Sequence, residues 1–220
     1  MKVNNLENNN MLVSLLSPKI KVIILGGGHA AYIKSKTFSK RGCQVYILSK
    51  KFMDDFENIA GLPNVNIINA EYEKKYIEGK HLVVIATDDV KVNYSIAEDC
   101  KKLCKIYIDA TKPENGNCIT PCQRNTKNIS IGINTKGVSP VTSVFIANKL
   151  VDYIKDYDEF VEFTSHIRNS ICSIDDKKKI MKFICTDDFY FFYKKGKALD
   201  VINMFFTTAN LRITQDGDNI

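Results

Sequence analysis

The sequence lacks any apolar run long enough to cross a lipid bilayer. A transmembrane helix needs about 20 consecutive apolar residues, whereas the longest runs here, such as residues 82–86, are far shorter. Residues 1–18 hold only a brief apolar stretch and no small-residue cleavage site. We therefore expect neither a signal peptide nor a membrane anchor, and no membrane partner.

The sequence also lacks a C-x-x-C pair, although it contains seven cysteines. An odd number without paired spacing is typical of reduced cysteines that serve as small hydrophobic residues in a cytoplasmic protein. The spacing of Cys118 and Cys122 fits no common zinc pattern, even with a histidine added. We therefore predict a cytoplasmic location and no metal site.

A dense basic stripe with interleaved aromatic residues, typical of nucleic-acid binding, is absent as well. The net charge is +6, from 31 Lys and Arg against 25 Asp and Glu, and the excess lies in scattered lysine pairs. This distribution predicts no nucleic-acid partner. A mild positive surplus does suit a polyanionic small substrate.

What the sequence does contain is a regular alternation of apolar strand-like runs and helix-like runs up to about residue 154. Continuous apolar strands between helices predict a parallel sheet covered on both faces. Beyond that point helical patterns replace the strands. The predicted strands are 20–25, 44–48, 65–69, 81–86, 106–108 and 129–134, and the predicted helices are 29–41, 52–60, 92–103, 141–153, 159–172, 176–185 and 198–209.

A glycine-rich turn joins the first predicted strand to the first helix. Gly26, Gly28 and Ala31 follow the pattern G-x-G-x-x-A. The first glycine permits the tight turn, the second lets backbone approach a pyrophosphate, and the small third residue lets the helix pack closely. The N–H groups at the helix start favour an anion. The context predicts dinucleotide binding.

The acidic residue expected at the end of the second strand is missing. In its place stand Ser49, Lys50 and Lys51. A carboxylate at this position binds the ribose hydroxyls of NAD, whereas a hydroxyl and lysines can accept the additional phosphate of NADP. The residues alone therefore leave NAD and NADP open, with Ser49 as a candidate ribose contact.

Four pieces of the sequence together resemble the precorrin-2 dehydrogenase family, the dehydrogenase and ferrochelatase part of sirohaem synthases. They are GGGHAAYIK, ATDDVKVN, YIDA with a downstream proline, and INTKGVSPVTSVFIANKL. The resemblance covers roughly residues 11–155. It implies NAD-dependent oxidation of precorrin-2 to sirohydrochlorin, in sirohaem and cobalamin synthesis. Some members of the family also insert ferrous iron into the product.

The resemblance also implies a domain organisation and a homodimer. We expect an α/β, Rossmann-like NAD(P)-binding domain with a parallel sheet over residues 1–135. A dimerisation segment follows over residues 136–156, and a small helical C-terminal region over residues 157–220. We expect a tetrapyrrole, precorrin-2, as the substrate.

The resemblance assigns roles to individual residues. Asp109 matches the aspartate on which the family's chemistry is thought to depend, and Asn93 closes the second motif. The cofactor residues are Gly26, Gly27, Gly28, His29 and Ala30, with Thr87, Asp88 and Asp89 beside the cofactor; the substrate residues are Ser139, Pro140 and Lys149.

Simpler interpretations stand beside these roles. Asp109 could form a turn or cap a helix, Asp88 could cap the following helix, and Ser139 could be an N-cap before Pro140. Lys149 could be a solvated charge. For the whole protein, the alternatives are a non-catalytic dinucleotide sensor and a chelatase without dehydrogenase activity.

Overall fold

The computed structural model describes residues 10–135 and 139–206. The chain folds into two compact units that divide between Thr120 and Pro121. Within the described ranges, no helix is both long and apolar enough to cross a membrane. The functional boundaries expected after residues 135 and 156 stay predictions.

The first unit is built on a five-stranded, wholly parallel sheet with the strand order β3-β2-β1-β4-β5. The chain order of the strands reverses at β1. In open α/β sheets, ligands bind at such a switch point, outside the carboxyl ends of the strands. The strands are β1 Lys21–Leu25, β2 Gln44–Ser49, β3 Val65–Asn69, β4 Leu82–Ile85 and β5 Ile106–Asp109.

Helices cover both faces of this sheet, which is why its central strands, β1 and β4, are apolar at nearly every position. Val22 and Ile24 of β1 pack in one buried cluster with residues of α1 and α2. Ile23 and Leu25 face the opposite way and pack with residues of α3. Successive strand residues point to opposite faces, so a doubly covered strand cannot alternate with polar residues. The helices are α1 His29–Lys40, α2 Glu57–Ala60 and α3 Val90–Lys102.

Helices α1 and α3 of the first unit end in left-handed turns. Gly42, with φ of +85°, follows α1 as the sequence predicts. Cys104 takes the same role after α3 with φ of +50°. The N–H groups of Cys104 and Lys105 donate to the carbonyls of Lys101 and Cys100, the pattern of a Schellman motif.

In its described residues, the second unit combines a β-hairpin with five α-helices. Its strands, β6 Cys122–Asn125 and β7 Ser130–Ile133, pair antiparallel in a separate two-stranded sheet. A second core, which includes Ile167, Ile184 and Phe189, lies between the later helices. The helices are α4 Pro140–Ile154, α5 Asp158–Ser170, α6 Ile174–Ile184, α7 Asp187–Lys194 and α8 Ala198–Phe205.

Three sequence-based expectations need correction. The strand predicted at 129–134 does not extend the parallel sheet, since it pairs with β6, which the sequence did not indicate. The Asp158 carboxylate fixes the hairpin turn by accepting hydrogen bonds from Thr126 Oγ1 at 2.7 Å and Asn128 N at 2.8 Å. The helix predicted at 52–60 is a 3-10 turn followed by one turn of α-helix.

The third correction concerns the C-terminal helices. The segment 187–194 is a helix in its own right, capped by the Thr186 hydroxyl, and it is absent from the helices predicted from the sequence. The helix predicted at 198–209 is observed as Ala198–Phe205, and residues 207–209 of that prediction lie outside the described residues.

Candidate functional site

The turn after β1 depends on the absence of a side chain at Gly26. Its φ is +138°, a region that L-residues with a Cβ rarely adopt. A Cβ at this position would also lie 2.2 Å from the carbonyl oxygen of Ala86. The turn therefore packs directly on the backbone where β4 ends.

Gly27 faces the neighbouring strand and is equally restricted. A Cβ here would lie 1.9 Å from the carbonyl oxygen of Lys51 and 2.8 Å from Ser49 Oγ. The Gly27 carbonyl accepts a hydrogen bond from Met53 N at 3.0 Å. The sequence pattern did not single out Gly27 for a steric role; only its position in a run of three glycines distinguished it.

Gly28 differs from both, because it is open to solvent. A Cβ at this position would meet no atom within 4 Å. Gly28 is the N-cap of α1, and no side chain caps the helix. His29 and Ala30 are exposed at the first turn, and Ala31 is fully buried against the sheet. The turn thus offers free space at a helix N-terminus, the cradle that a dinucleotide pyrophosphate requires.

The end of β2 carries less uncompensated positive charge than its two lysines suggest. Ser49 Oγ donates to the carbonyl oxygen of Lys51 at 2.7 Å, so the hydroxyl is held in its own turn. Lys50 Nζ lies 2.8 Å from Glu71 Oε1 at the exposed surface. Their hydrogen bond and charge attraction raise the pKa of Lys50 and lower that of Glu71. Lys51 is therefore the less compensated cation beside the predicted ribose site.

The loop after β4 is held by Asn93, which is 7% exposed. Asn93 Nδ2 donates to the Thr87 carbonyl oxygen at 3.0 Å, and Thr87 Oγ1 donates to Asn93 Oδ1 at 2.5 Å. The N-cap of α3 is Asp89, whose Oδ1 accepts from Lys91 N at 2.8 Å. The expectation that Asp88 caps this helix is wrong, and Asp88 is exposed.

Asp109 ends β5 with a buried carboxylate, only 3% exposed. Its Oδ1 accepts hydrogen bonds from Thr111 N at 2.8 Å, Thr111 Oγ1 at 2.7 Å and Lys112 N at 2.9 Å. The turn-forming role is therefore present. No described residue donates a hydrogen bond to Oδ2, and no polar side-chain atom of the described residues is both buried and unpaired, so Oδ2 is at least partly accessible to solvent.

A cavity of about 390 Å³ adjoins Asp109. Asn93, Ala97 and Lys101 line it from successive turns of α3, so the cavity follows that helix. Thr111 contributes from the loop after β5. Because carboxyl ends of parallel strands share one edge of a sheet, Asp109 and the glycine turn lie at the same edge.

The predicted substrate residues lie in the second unit. Ser139 Oγ accepts from Thr142 N at 3.3 Å and caps α4, with Pro140 at the first position of the helix. Lys149 is exposed on α4. The first glycine of their motif, Gly137, lies outside the described residues. Ser139 thus acts as the N-cap of α4 in the structure. Substrate binding by Ser139, Pro140 and Lys149 stays a prediction.

Residues 4–122, which contain the glycine turn and Asp109, match a protein family described as "Putative NAD(P)-binding". The chain belongs to this NAD(P)-binding family. The match covers the whole parallel sheet of the first unit.

Curated relatives of this NAD(P)-binding chain include a siroheme synthase of Psychrobacter sp., 29% identical over 69% of the chain but only 31% of the relative. The chain thus spans about a third of that relative's length. A protein of Methanocaldococcus jannaschii named "Putative precorrin-2 dehydrogenase" is 27% identical over 74% of the chain and 84% of the relative.

One solved structure, titled "SirC, precorrin-2 dehydrogenase", shares the fold. It superimposes with a TM-score of 0.66 and 22% identity, over 89% of this chain and 100% of that chain. The α/β, Rossmann-like class predicted from the sequence is thereby confirmed. NAD(P) binding, predicted from the glycine pattern, agrees with the family to which the chain belongs.

Sequence reasoning missed two residues that the structure brings into the site. Thr111 binds Asp109 through both its N–H and its hydroxyl, and Glu71 neutralises Lys50. Thr111 follows Asp109 by two residues, a spacing typical of a carboxylate that bonds the backbone of its own turn. Glu71 follows β3, and no local pattern links it to the end of β2.

Gly27 and Gly28 should respond differently to substitution by alanine. We expect Gly27→Ala to lower the free energy of unfolding by about 1–3 kcal/mol, because its Cβ collides with backbone. Gly28→Ala should leave stability within about 0.5 kcal/mol yet weaken NAD binding about tenfold, through a blocked approach to the backbone N–H groups. Urea denaturation and calorimetric titration with NAD measure both. Equal stability of the two variants would contradict the steric assignment.

Breaking the ion pair between Lys50 and Glu71 should shift the preference between NAD and NADP. In Glu71→Gln the ammonium of Lys50 is no longer paired, and we expect affinity for NADP relative to NAD to rise about fivefold. Glu73→Gln is the matched control, because it releases Lys75 from an equally exposed pair of 2.8 Å. Titrations with both dinucleotides measure the ratio. An identical ratio in both variants would place Lys50 outside the cofactor site.

Proposed function

We propose that this chain oxidises precorrin-2 to sirohydrochlorin with NAD as the hydride acceptor. The proposal rests on one geometric observation. A buried carboxylate, Asp109, stands at the same sheet edge as an open glycine turn and adjoins a cavity. Similarity to a siroheme synthase and to a protein named "Putative precorrin-2 dehydrogenase" supports the same reaction.

The oxidation removes a hydride and a proton from a reduced macrocycle. Bound NAD supplies the acceptor for the hydride. Asp109 Oδ2 accepts the proton, because Oδ1 is already bonded by three donors and Oδ2 remains accessible. Burial of the carboxylate limits competition from water for this proton.

The backbone positions the cofactor for this reaction. Gly28 leaves space for the pyrophosphate at the N-terminus of α1. Contact between Gly26 and the end of β4 keeps that turn beside the loop of Thr87. A dinucleotide held there would lie at the sheet edge formed by the carboxyl ends of β1, β4 and β5, where ligands of doubly wound sheets bind. The substrate is a carboxylate-rich tetrapyrrole, which the positive net charge of +6 favours. Ser139, Pro140 and Lys149 contact it in this proposal.

Substitution of Asp109 by asparagine tests the proposal directly. Asparagine retains an acceptor for the turn but accepts no proton, so we expect kcat for precorrin-2 oxidation to fall about a hundredfold to ten-thousandfold. Affinity for NAD should stay within about twofold of the parent protein. Sirohydrochlorin absorption under anaerobic conditions measures conversion. Glu114→Gln is the matched control, because Glu114 is another carboxylate lining the same cavity.

Each outcome separates the candidate functions. Full activity of Asp109→Asn would remove this carboxylate from the reaction. NAD binding without conversion by the parent protein would favour a dinucleotide sensor. Iron insertion into added sirohydrochlorin, without oxidation of precorrin-2, would instead favour a chelatase. A cytoplasmic location stays a prediction.

We further propose that the chain forms a homodimer through α4. This helix exposes apolar side chains on one face at helical spacing, among them Val141, Val144 and Phe145, with exposed fractions of 79%, 39% and 62%. Exposed apolar patches of this kind are typical of protein interfaces, and closed pairs are the commonest homo-oligomers.

Charge introduced on α4 should therefore separate the subunits. We expect the parent protein to sediment as a dimer and Phe145→Glu as a monomer, because burying an unpaired carboxylate at an interface costs several kcal/mol. Ile174→Glu is the control, since Ile174 is 71% exposed on a different helix, α6. A monomeric parent protein would contradict the proposal, as would a dimeric Phe145→Glu variant.

A further inference from the structure

The Asp109 carboxylate is fixed in one orientation. Three donors, the N–H and hydroxyl of Thr111 and the N–H of Lys112, all bind Oδ1 at 2.7–2.9 Å. The two oxygens of a carboxylate are equivalent, so a half-turn would restore the same bonds, but any intermediate rotation would break them. The three donors therefore fix the plane of the carboxylate and bind one of its two oxygens.

The Thr111 hydroxyl lies between Asp109 and Asn93. It donates to Asp109 Oδ1 at 2.7 Å, and Asn93 Nδ2 approaches it at 3.5 Å. A hydroxyl has one hydrogen, so an oxygen that donates to the carboxylate can only accept from Asn93. Contact with Asn93 thus favours the rotamer in which Thr111 donates to Asp109.

Asn93 in turn cannot rotate freely. Its Nδ2 donates to the Thr87 carbonyl oxygen at 3.0 Å, and its Oδ1 accepts from Thr87 Oγ1. Exchange of the amide oxygen and nitrogen would place Oδ1 against the Thr87 carbonyl oxygen, so two acceptors would face each other, and Nδ2 therefore stays on the side of that carbonyl and of Thr111. Thr87 follows Ala86, whose carbonyl oxygen packs on Gly26. A chain of contacts therefore runs from the cofactor turn to the carboxylate.

We propose that Thr111 and Asn93 are positioning residues for the proton transfer. They fix the Asp109 carboxylate beside the cavity that it lines and connect it to the loop after β4. This inference rests on the proposed role of Asp109. Neither residue exchanges a proton with the substrate; each acts through Asp109.

Removal of the Thr111 hydroxyl tests whether Thr111 and Asn93 position Asp109. Thr111→Val retains the shape and the backbone N–H but loses the hydroxyl donor. We expect kcat to fall about tenfold with KM for precorrin-2 and for NAD within about twofold, and Thr111→Ser to restore kcat. Asn93→Leu should lower kcat by a smaller factor when Thr111 is already valine, because both act along one chain of contacts. Thr37→Val, which removes a hydroxyl bonded within α1, is the control.

A double-mutant cycle separates positioning from general destabilisation. In an Asp109→Asn background, Thr111→Val should change the residual rate less than twofold, because the group that Thr111 positions no longer accepts a proton. An equal loss in both backgrounds would overturn the proposal, and so would failure of Thr111→Ser to restore kcat.

A measurement without turnover keeps this inference distinct from the proposed function. The Lys112 N–H donates to Asp109 Oδ1, so its hydrogen exchange reports whether the carboxylate keeps its orientation. We expect exchange at Lys112 to accelerate at least about fivefold in Thr111→Val and Asn93→Leu, and to stay unchanged in Thr37→Val. Unchanged exchange in the first two variants would overturn the positioning role. A parent protein that fails to oxidise precorrin-2 but shows accelerated exchange in these variants would overturn only the proposed function.

Discussion

The close approach of Gly26 to the carbonyl oxygen of Ala86 is the constraint on which the site depends. Without a Cβ at Gly26, the turn after β1 rests directly on the end of β4. That contact places the free N–H groups of α1 beside the loop that Asn93 holds. A bulkier residue would separate the two loops, and the cofactor cradle would lose its fixed distance to Asp109.

The candidate site is organised mainly by side chains that bond backbone. Asp89 caps α3, Asn93 holds the carbonyl of Thr87, and Asp109 binds the N–H groups of its own turn. Such bonds fix loops at the carboxyl edge of the sheet without adding bulk to the cleft. For Asp109, the structural and catalytic interpretations are compatible, because one carboxylate oxygen forms the turn and the other remains free.

The local sequence pattern predicted secondary structure best for strands that are buried on both faces. It predicted secondary structure least well where a strand is defined by its pairing with another segment. The five parallel strands are apolar at nearly every position, so their sequence predicts them within about two residues. The β6–β7 hairpin has one largely polar strand, Cys122–Asn125, and its turn is fixed by Asp158, which lies about 30 residues further along the chain. Its antiparallel pairing could not be predicted from either strand alone.

The sequence by itself determined the glycine turn, the order of the parallel strands along the chain and the presence of an aspartate where β5 ends. These features follow from backbone sterics and from periodicity, which are local. Only the tertiary structure decided that Gly27 must lack a side chain, that Glu71 pairs with Lys50, and that Thr111 and Asn93 meet between two loops. Each of these depends on a distance between segments remote in sequence, which packing of the whole sheet sets.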